Sequence, residues 1–273
     1  MLNGFRGDGE LEADMTRTTG RVLGADIDAI GWRDAVGKIL GWAIARESRY
    51  VAICNAHVVV TATGDPDYGA VINGADMATP DGAPVAWMLR RTVAPSQRRI
   101  SGPDLMWKLC AACAEQAVPV YLLGSTPPTL ERLRASLQAA FPGLPICGME
   151  SPPFRPLTVA EDEELVERIN GASPGIVFVG LGCPKQERWM AAHRGRVDAV
   201  MIGVGAAFDF HAGTVQRAPD WMQRHGLEWL HRLGSEPRRL WRRYLVTNTL
   251  FIAGALRQLG SRGGRDGRRD RLR

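Results

Sequence analysis

The chain has 273 residues, 45% hydrophobic, 7% aromatic and 23% charged, which excludes wholesale disorder, a collagen-like repeat and a polytopic membrane protein. Its net charge of +5 is unevenly spread, because positions 217–273 hold 14 Arg against five acids and leave the first 216 residues mildly acidic. A basic tail of that kind suits a polyanion or an anionic membrane surface, and charge alone does not choose between them.

Residues 1–20 mix glycine and charge with few large apolar groups in no period, which predicts a disordered lead-in. From Val22 onward, short Val- and Ile-rich runs alternate with stretches of helical period, the pattern of an α/β fold with a largely parallel, Rossmann-like sheet flanked by helices. This body is expected over residues 21–213. The clearest strands fall at 50–54, 118–123, 176–179 and 199–202, apolar on both faces as strands covered on each side must be. Helices are expected at 34–46, 57–64, 82–90, 103–116, 129–140, 160–170 and 184–193. Prolines at Pro103, Pro127 and Pro128 sit where a first helical turn lacks amide partners. Five cysteines, an odd and sparse set, fit a reducing cytoplasm. The one C-x-x-C pair, Cys110 and Cys113, lies in an apolar helical stretch and reads as core rather than as a redox or metal motif.

Three strands end in glycine: Leu123-Gly124-Ser125, Gly180-Leu181-Gly182 and Gly203-Val204-Gly205. Glycine there lets a ligand approach the backbone, and the helix that follows presents N–H groups to a diphosphate, so a nucleotide-type site bordered by Gly124, Ser125, Gly182 and Gly205 is expected. Neither a complete G-x-G-x-x-G nor a P-loop is present, which disfavours a dinucleotide enzyme and a P-loop NTPase. No cofactor is expected. The five histidines show no metal-ligand spacing and no G-x-S-x-G elbow appears, so metal and serine-hydrolase chemistry have no support. Three carboxylates then stand out. Asp81, in Ala78-Thr79-Pro80-Asp81-Gly82, is either a turn or N-cap residue or a general base held at a pocket rim. Asp104, near Gly102, is an early-helix carboxylate or a ligand contact. Asp209, after the third glycine edge, is equally open.

Taken in order, Asn55-Ala56-His57, Pro80-Asp81-Gly82, Ser101-Gly102-Pro103-Asp104-Leu105, Gly180 to Glu187, Gly203 to Phe210, Arg217-Ala218-Pro219, Gly226 to Leu230 and Glu236 to Arg239 resemble the WecG/TagA/CpsF glycosyltransferases over roughly residues 22–244. The resemblance implies an inverting, metal-independent transferase. It would move a sugar from a UDP-sugar to a polyprenyl-diphosphate-linked saccharide in bacterial surface or exopolysaccharide synthesis. It maps the catalytic base to Asp81 and pocket residues to Asn55 and Gln186; Thr79, Gly102, Asp104 and Asp209 are expected beside the substrate as well. It also assigns diphosphate contacts to Arg232, Arg239 and Arg242. Ile53 is a departure, since the family commonly has Thr two places before the asparagine.

Beyond residue 213 the pattern over 221–259 is helical, with Leu227, Leu230 and Leu233 on one side, Arg238, Arg239, Arg242 and Arg243 on another, and Trp229, Trp241 and Tyr244 among them. This reads either as an interfacial helix on anionic lipid or as a helix packed on its own domain with a solvated face. The apolar run 244–256 is too short for the ~20 residues a bilayer span needs. A helical membrane-association appendage is therefore expected over 214–257, then a disordered Arg/Gly-rich tail over 258–273. The protein should be cytoplasmic, peripheral on the inner membrane, without nucleic acid as a partner. A non-catalytic nucleotide-sugar-binding protein recruited by its tail is the alternative.

Overall fold

The computed structural model describes residues 17–269, and only the backbone for Arg239 and for residues 262–269. The chain opens with an antiparallel hairpin, β1 (Thr19–Val22) and β2 (Ala25–Asp28), whose turn places Leu23 and Gly24 both at positive φ. Arg17 pairs with Asp28 at 2.8 Å and donates to the Ala75 carbonyl at 2.7 Å. Residues 17–20 are thus ordered, contrary to the expected lead-in, because a buried carboxylate recruits the arginine. Residues 1–16 lie outside the described residues.

Six strands follow: β3 (Arg49–Cys54), β4 (Met77–Pro80), β5 (Val120–Gly124), β6 (Ile146–Glu150), β7 (Ile176–Gly180) and β8 (Val200–Gly203). They form one parallel sheet in the order β4-β3-β8-β7-β5-β6. The expected strands are the four interior ones. Those missed in the sheet are its edges: β6 is only half-buried along its length, and β4 is short and ends in proline. Neither shows the doubly apolar run of an interior strand.

The helices, in chain order, are α1 (Trp32–Ile44), α2 (Ala56–Gly64), α3 (Pro66–Asn73), α4 (Gly82–Thr92), α5 (Gly102–Glu115), α6 (Pro127–Ala140), α7 (Val159–Gly171), α8 (Lys185–His193) and α9 (Ala207–His211). All seven expected helices are present. The short α3, announced only by its Asp65-Pro66 cap, and the five-residue α9 are additional to them. Alternation along the strands splits the core. Tyr50, Ala52, Val177 and Val179 pack towards α2, α3, α4, α7 and α8, while Val51, Ile53, Ile176 and Phe178 pack towards α1, α5, α6 and α9. Cys110 and Cys113 belong to the second layer, and burial pushes the Cys113 thiol up to about 12, as for a core residue.

The tail resolves into α10 (Asp220–Arg224), α11 (Glu228–Ser235) and α12 (Pro237–Arg269), broken at Gly226, whose φ is 72°, and at Pro237. Helix α12 lies against α2 and the hairpin, where Gln258 accepts from Leu23 N at 2.8 Å and donates to the Arg21 carbonyl at 2.6 Å. It continues helical to Arg269 through a segment expected to be disordered. No proline interrupts it, and extending an existing helix fixes only one residue per added hydrogen bond. No helix among the described residues is long and apolar enough to cross a membrane.

Candidate functional site

The parallel register brings the carboxyl ends of β3, β4, β5, β7 and β8 to one edge, where a cavity of about 740 Å³ opens between the sheet and the helices of the tail. Asn55 follows β3 and caps α2, its Oδ1 accepting from His57 N at 3.0 Å and Val58 N at 3.1 Å. That leaves the nitrogen end of the amide for Asp81, to which the Asn55 side chain hydrogen-bonds.

Asp81 follows β4 and stands at the N-cap position of α4 without a side-chain capping bond. Its carboxylate lines the cavity instead. It is open on that side and packed by protein on the others, and burial is the main reason its pKa is pushed up to about 6. The Glu228 carboxylate adds to the rise; Arg99, Asn55 and the Gly82 N–H oppose it. A carboxylate in this range holds and releases a proton near neutral pH.

On the β7 side the Gly182 N–H donates to Gln186 Oε1 at 3.2 Å, and Gln186 Nε2 donates to Glu187 Oε1 at 2.8 Å. Gln186 lies directly under Gly203, where an added Cβ would stand 3.0 Å from its Nε2. Glu187 is fully buried, burial raises its pKa, and its Oε2 has no hydrogen-bond partner among the described residues. Gly102, Ser125, Gly205 and Asp209 line the cavity as expected, and so does Ile53.

Four expected site residues lie elsewhere. Thr79 is fully buried within β4, because the strand edge is reached only two residues later. Gly124 packs on the Gly180 backbone, an added Cβ there standing 2.6 Å from it, so this glycine serves strand contact and Ser125 alone reaches the cavity. Asp104 is taken by Arg217 at 2.6 Å and by the Ser101 hydroxyl at 2.5 Å; those bonds outweigh its burial and hold it below the usual carboxylate range. It orients an arginine rather than lining the cavity. Arg242 points outward over the Trp241 ring, 5.1 Å from its centroid. The Arg239 side chain lies outside the described residues.

Arg232 does line the cavity, its guanidinium 5.5 Å from the Phe210 ring centroid. Arg99, Arg217 and Arg243 line it too and were not anticipated. Arg99 directly precedes the Ile100-Ser101-Gly102 segment and Arg217 opens Arg217-Ala218-Pro219, so position beside a motif is the one signal these two carry. Phe154, 83% exposed on the loop between β6 and α7, stands at the rim with no sequence signal at all. His57, on the wall beside α12, contacts Thr247 at 3.4 Å, and burial, then Arg243, brings its pKa down to about 4. It is a neutral imidazole at physiological pH.

The site thus combines a raised carboxylate, glycine-edged strand ends and several guanidinium groups, a set able to take a proton from a hydroxyl while holding a polyanion. Compared with known families, the chain is matched over residues 20–265 by the model of the glycosyl transferase WecG/TagA/CpsF family.

Proposed function

The chain belongs to the WecG/TagA/CpsF family of glycosyltransferases of polysaccharide synthesis, and on that premise we propose that it transfers a sugar from a UDP-sugar to a polyprenyl-diphosphate-linked saccharide by a single, inverting displacement. The observation that carries this reading is the convergence of Asp81, between β4 and α4, with Arg217 and Arg232, far along the chain, on one cavity edged by glycine-ended strands.

Asp81 is the base. It removes the acceptor hydroxyl proton as that oxygen bonds to the anomeric carbon, while the bond from that carbon to the diphosphate oxygen breaks on the opposite face. UDP leaves with the electron pair. Asn55, fixed by its capping bonds, holds the carboxylate in orientation. Guanidinium groups of Arg217 and Arg232 meet the charge growing on the leaving diphosphate, a role that needs no metal ion. Gln186 positions the substrate from beneath Gly203. Ile53 offers the sugar an apolar wall where the family commonly has a hydroxyl, which favours selectivity by shape there.

The donor class is UDP-N-acetylmannosamine, UDP-N-acetylmannosaminuronate or UDP-glucuronate. The reaction takes place on the cytoplasmic face of the inner membrane, where the lipid-linked acceptor resides and where exposed Trp241, Leu245, Ile252 and Leu256 on α12 can enter the headgroup region. The test is a panel of these donors with a lipid-diphosphate acceptor, followed by chromatography for released UDP. Asp81→Asn should lose transfer by about 10²–10⁴-fold, the usual worth of a positioned base, while UDP still binds. Full activity in that variant removes the assignment.

A further inference from the structure

The negative charge nearest in effect to Asp81 comes from the tail. Glu228 is the first residue of α11, and its carboxylate reaches Arg99 of the α/β body and Arg217 of the segment before α10. Arg99 Nη1 donates to its Oε2, and Arg217 Nε stands 3.6 Å from its Oε1. Arg217 is already bound by Asp104, and its buried Nε has no hydrogen-bond acceptor among the described residues, so Glu228 meets the outer edge of a guanidinium fixed from behind. Glu228, both arginines and Asp81 line the same cavity. The three side chains of the bridge are only about a quarter exposed, which spares it much of the screening that weakens surface pairs.

We propose that Glu228 is a positioning residue for glycosyl transfer. Its bridge between Arg99 and Arg217 seats the first turn of α11 as a wall of the cavity, and its charge sets the field in which Asp81 takes its proton. The proposal rests on the reading of Asp81 as the base.

The groups that act on Asp81 are Asn55 from the β3–α2 junction, the Gly82 N–H of α4, Arg99 from the segment before α5, and Glu228 from α11. Those facing Glu228 are Arg99, Arg217 and Asp81, with Arg232 one turn along its own helix. Burial does most to raise the Asp81 carboxyl to about 6; Glu228 acts in the same direction and Arg99 against it. Neutralising Glu228 removes a repulsion and also releases the field of Arg99 onto Asp81. Both changes favour the ionised carboxylate, so Asp81 should lose its proton at lower pH.

Glu228→Gln in the full chain keeps the shape and a hydrogen-bond acceptor for Arg99 while removing the charge. Two readouts apply: the acid limb of kcat/KM against pH, and the ¹³C carboxyl resonance of Asp81, assigned by its disappearance in Asp81→Asn. Both midpoints should fall by roughly half to one pH unit, less than the shift of two carboxylates sharing one site. Glu228→Asp should return them towards the native value. Arg99→Gln, which strips the opposing charge, should move the resonance midpoint upward and serves if Glu228→Gln does not fold. Midpoints unmoved in Glu228→Gln, or an Arg99→Gln midpoint that does not rise, overturn the proposal. A resonance that shifts while the rate limb stays still retains Glu228 as a neighbour of Asp81 but defeats Asp81 as the base.

Discussion

Asp81 keeps its proton at a pH where an ordinary aspartate has lost it, and two consequences of that can be measured. Acting as a base, it must be ionised, so kcat/KM should rise with pH through about 6 and level off above it; a profile flat from pH 5 to 8 contradicts the role. The second consequence concerns stability. A carboxyl whose pKa is higher folded than unfolded contributes stability that is fully present below its ordinary value near 4 and is lost progressively as pH rises from there through about 6. Asp81→Asn should therefore raise Tm at pH 8, by about 2–4 °C for each kcal/mol in a chain of this size, and change it little only below about pH 4, where the carboxyl is protonated in both states. At this scale the sequence was readable just past the strand ends, where Asn55, Asp81 and Gly205 line the cavity, and in the first turn of α8, where Gln186 does. It was not readable two residues earlier, at Thr79, which the sheet covers. It also failed one residue apart on α12, since Arg243 faces the cavity and Arg242 faces out. One step along a helix turns the side chain by about 100°, and only knowledge of the packed face says which arginine turns inward.

Interior strands announce themselves and edge strands do not, and the same distinction governs which glycines matter. Gly124 and Gly182 both have positive φ, 120° and 81°, yet a Cβ at Gly124 would press on the Gly180 backbone whereas one at Gly182 would meet nothing within 4 Å. Gly182→Ala should cost only the backbone strain of about 1–2 kcal/mol. Gly124→Ala should cost that strain plus roughly 1–3 kcal/mol of overpacking between β5 and β7. Urea unfolding of the two variants checks the order; equal midpoints would mean the strands part freely at this edge. The pattern of three glycine-ended strands was legible, but its division into glycines that admit ligand and a glycine that admits a neighbouring strand was not. That division depends on β5 and β7 being adjacent, a pairing of residues far apart in the chain.

At the scale of the molecule, α12 carries a buried and an exposed stripe about a third of a turn apart. Leu240, Thr247, Phe251 and Ala255 are buried, whereas Leu245, Ile252 and Leu256 are exposed, and the interval of seven residues recurs in both sets. The buried stripe explains why the tail docks on α2 and the hairpin rather than trailing from the body. The exposed stripe has no such account within the fold. Composition foretold the basic tail, but the two-striped helix needed the docking surface, because hydrophobicity alone does not say which stripe the body takes. If the exposed stripe meets lipid, burying each such side chain is worth up to ~1.5–3 kcal/mol. Ile252→Glu with Leu256→Glu should then weaken sedimentation with anionic vesicles by tenfold or more while Tm stays within a degree or two, since neither side chain packs on the body. Raising salt should weaken native binding as well, because the arginines contribute through a screened field. Vesicle binding that survives both the double substitution and high salt would place the membrane contact on another face, and the acceptor would then have to reach Asp81 from a side other than α12.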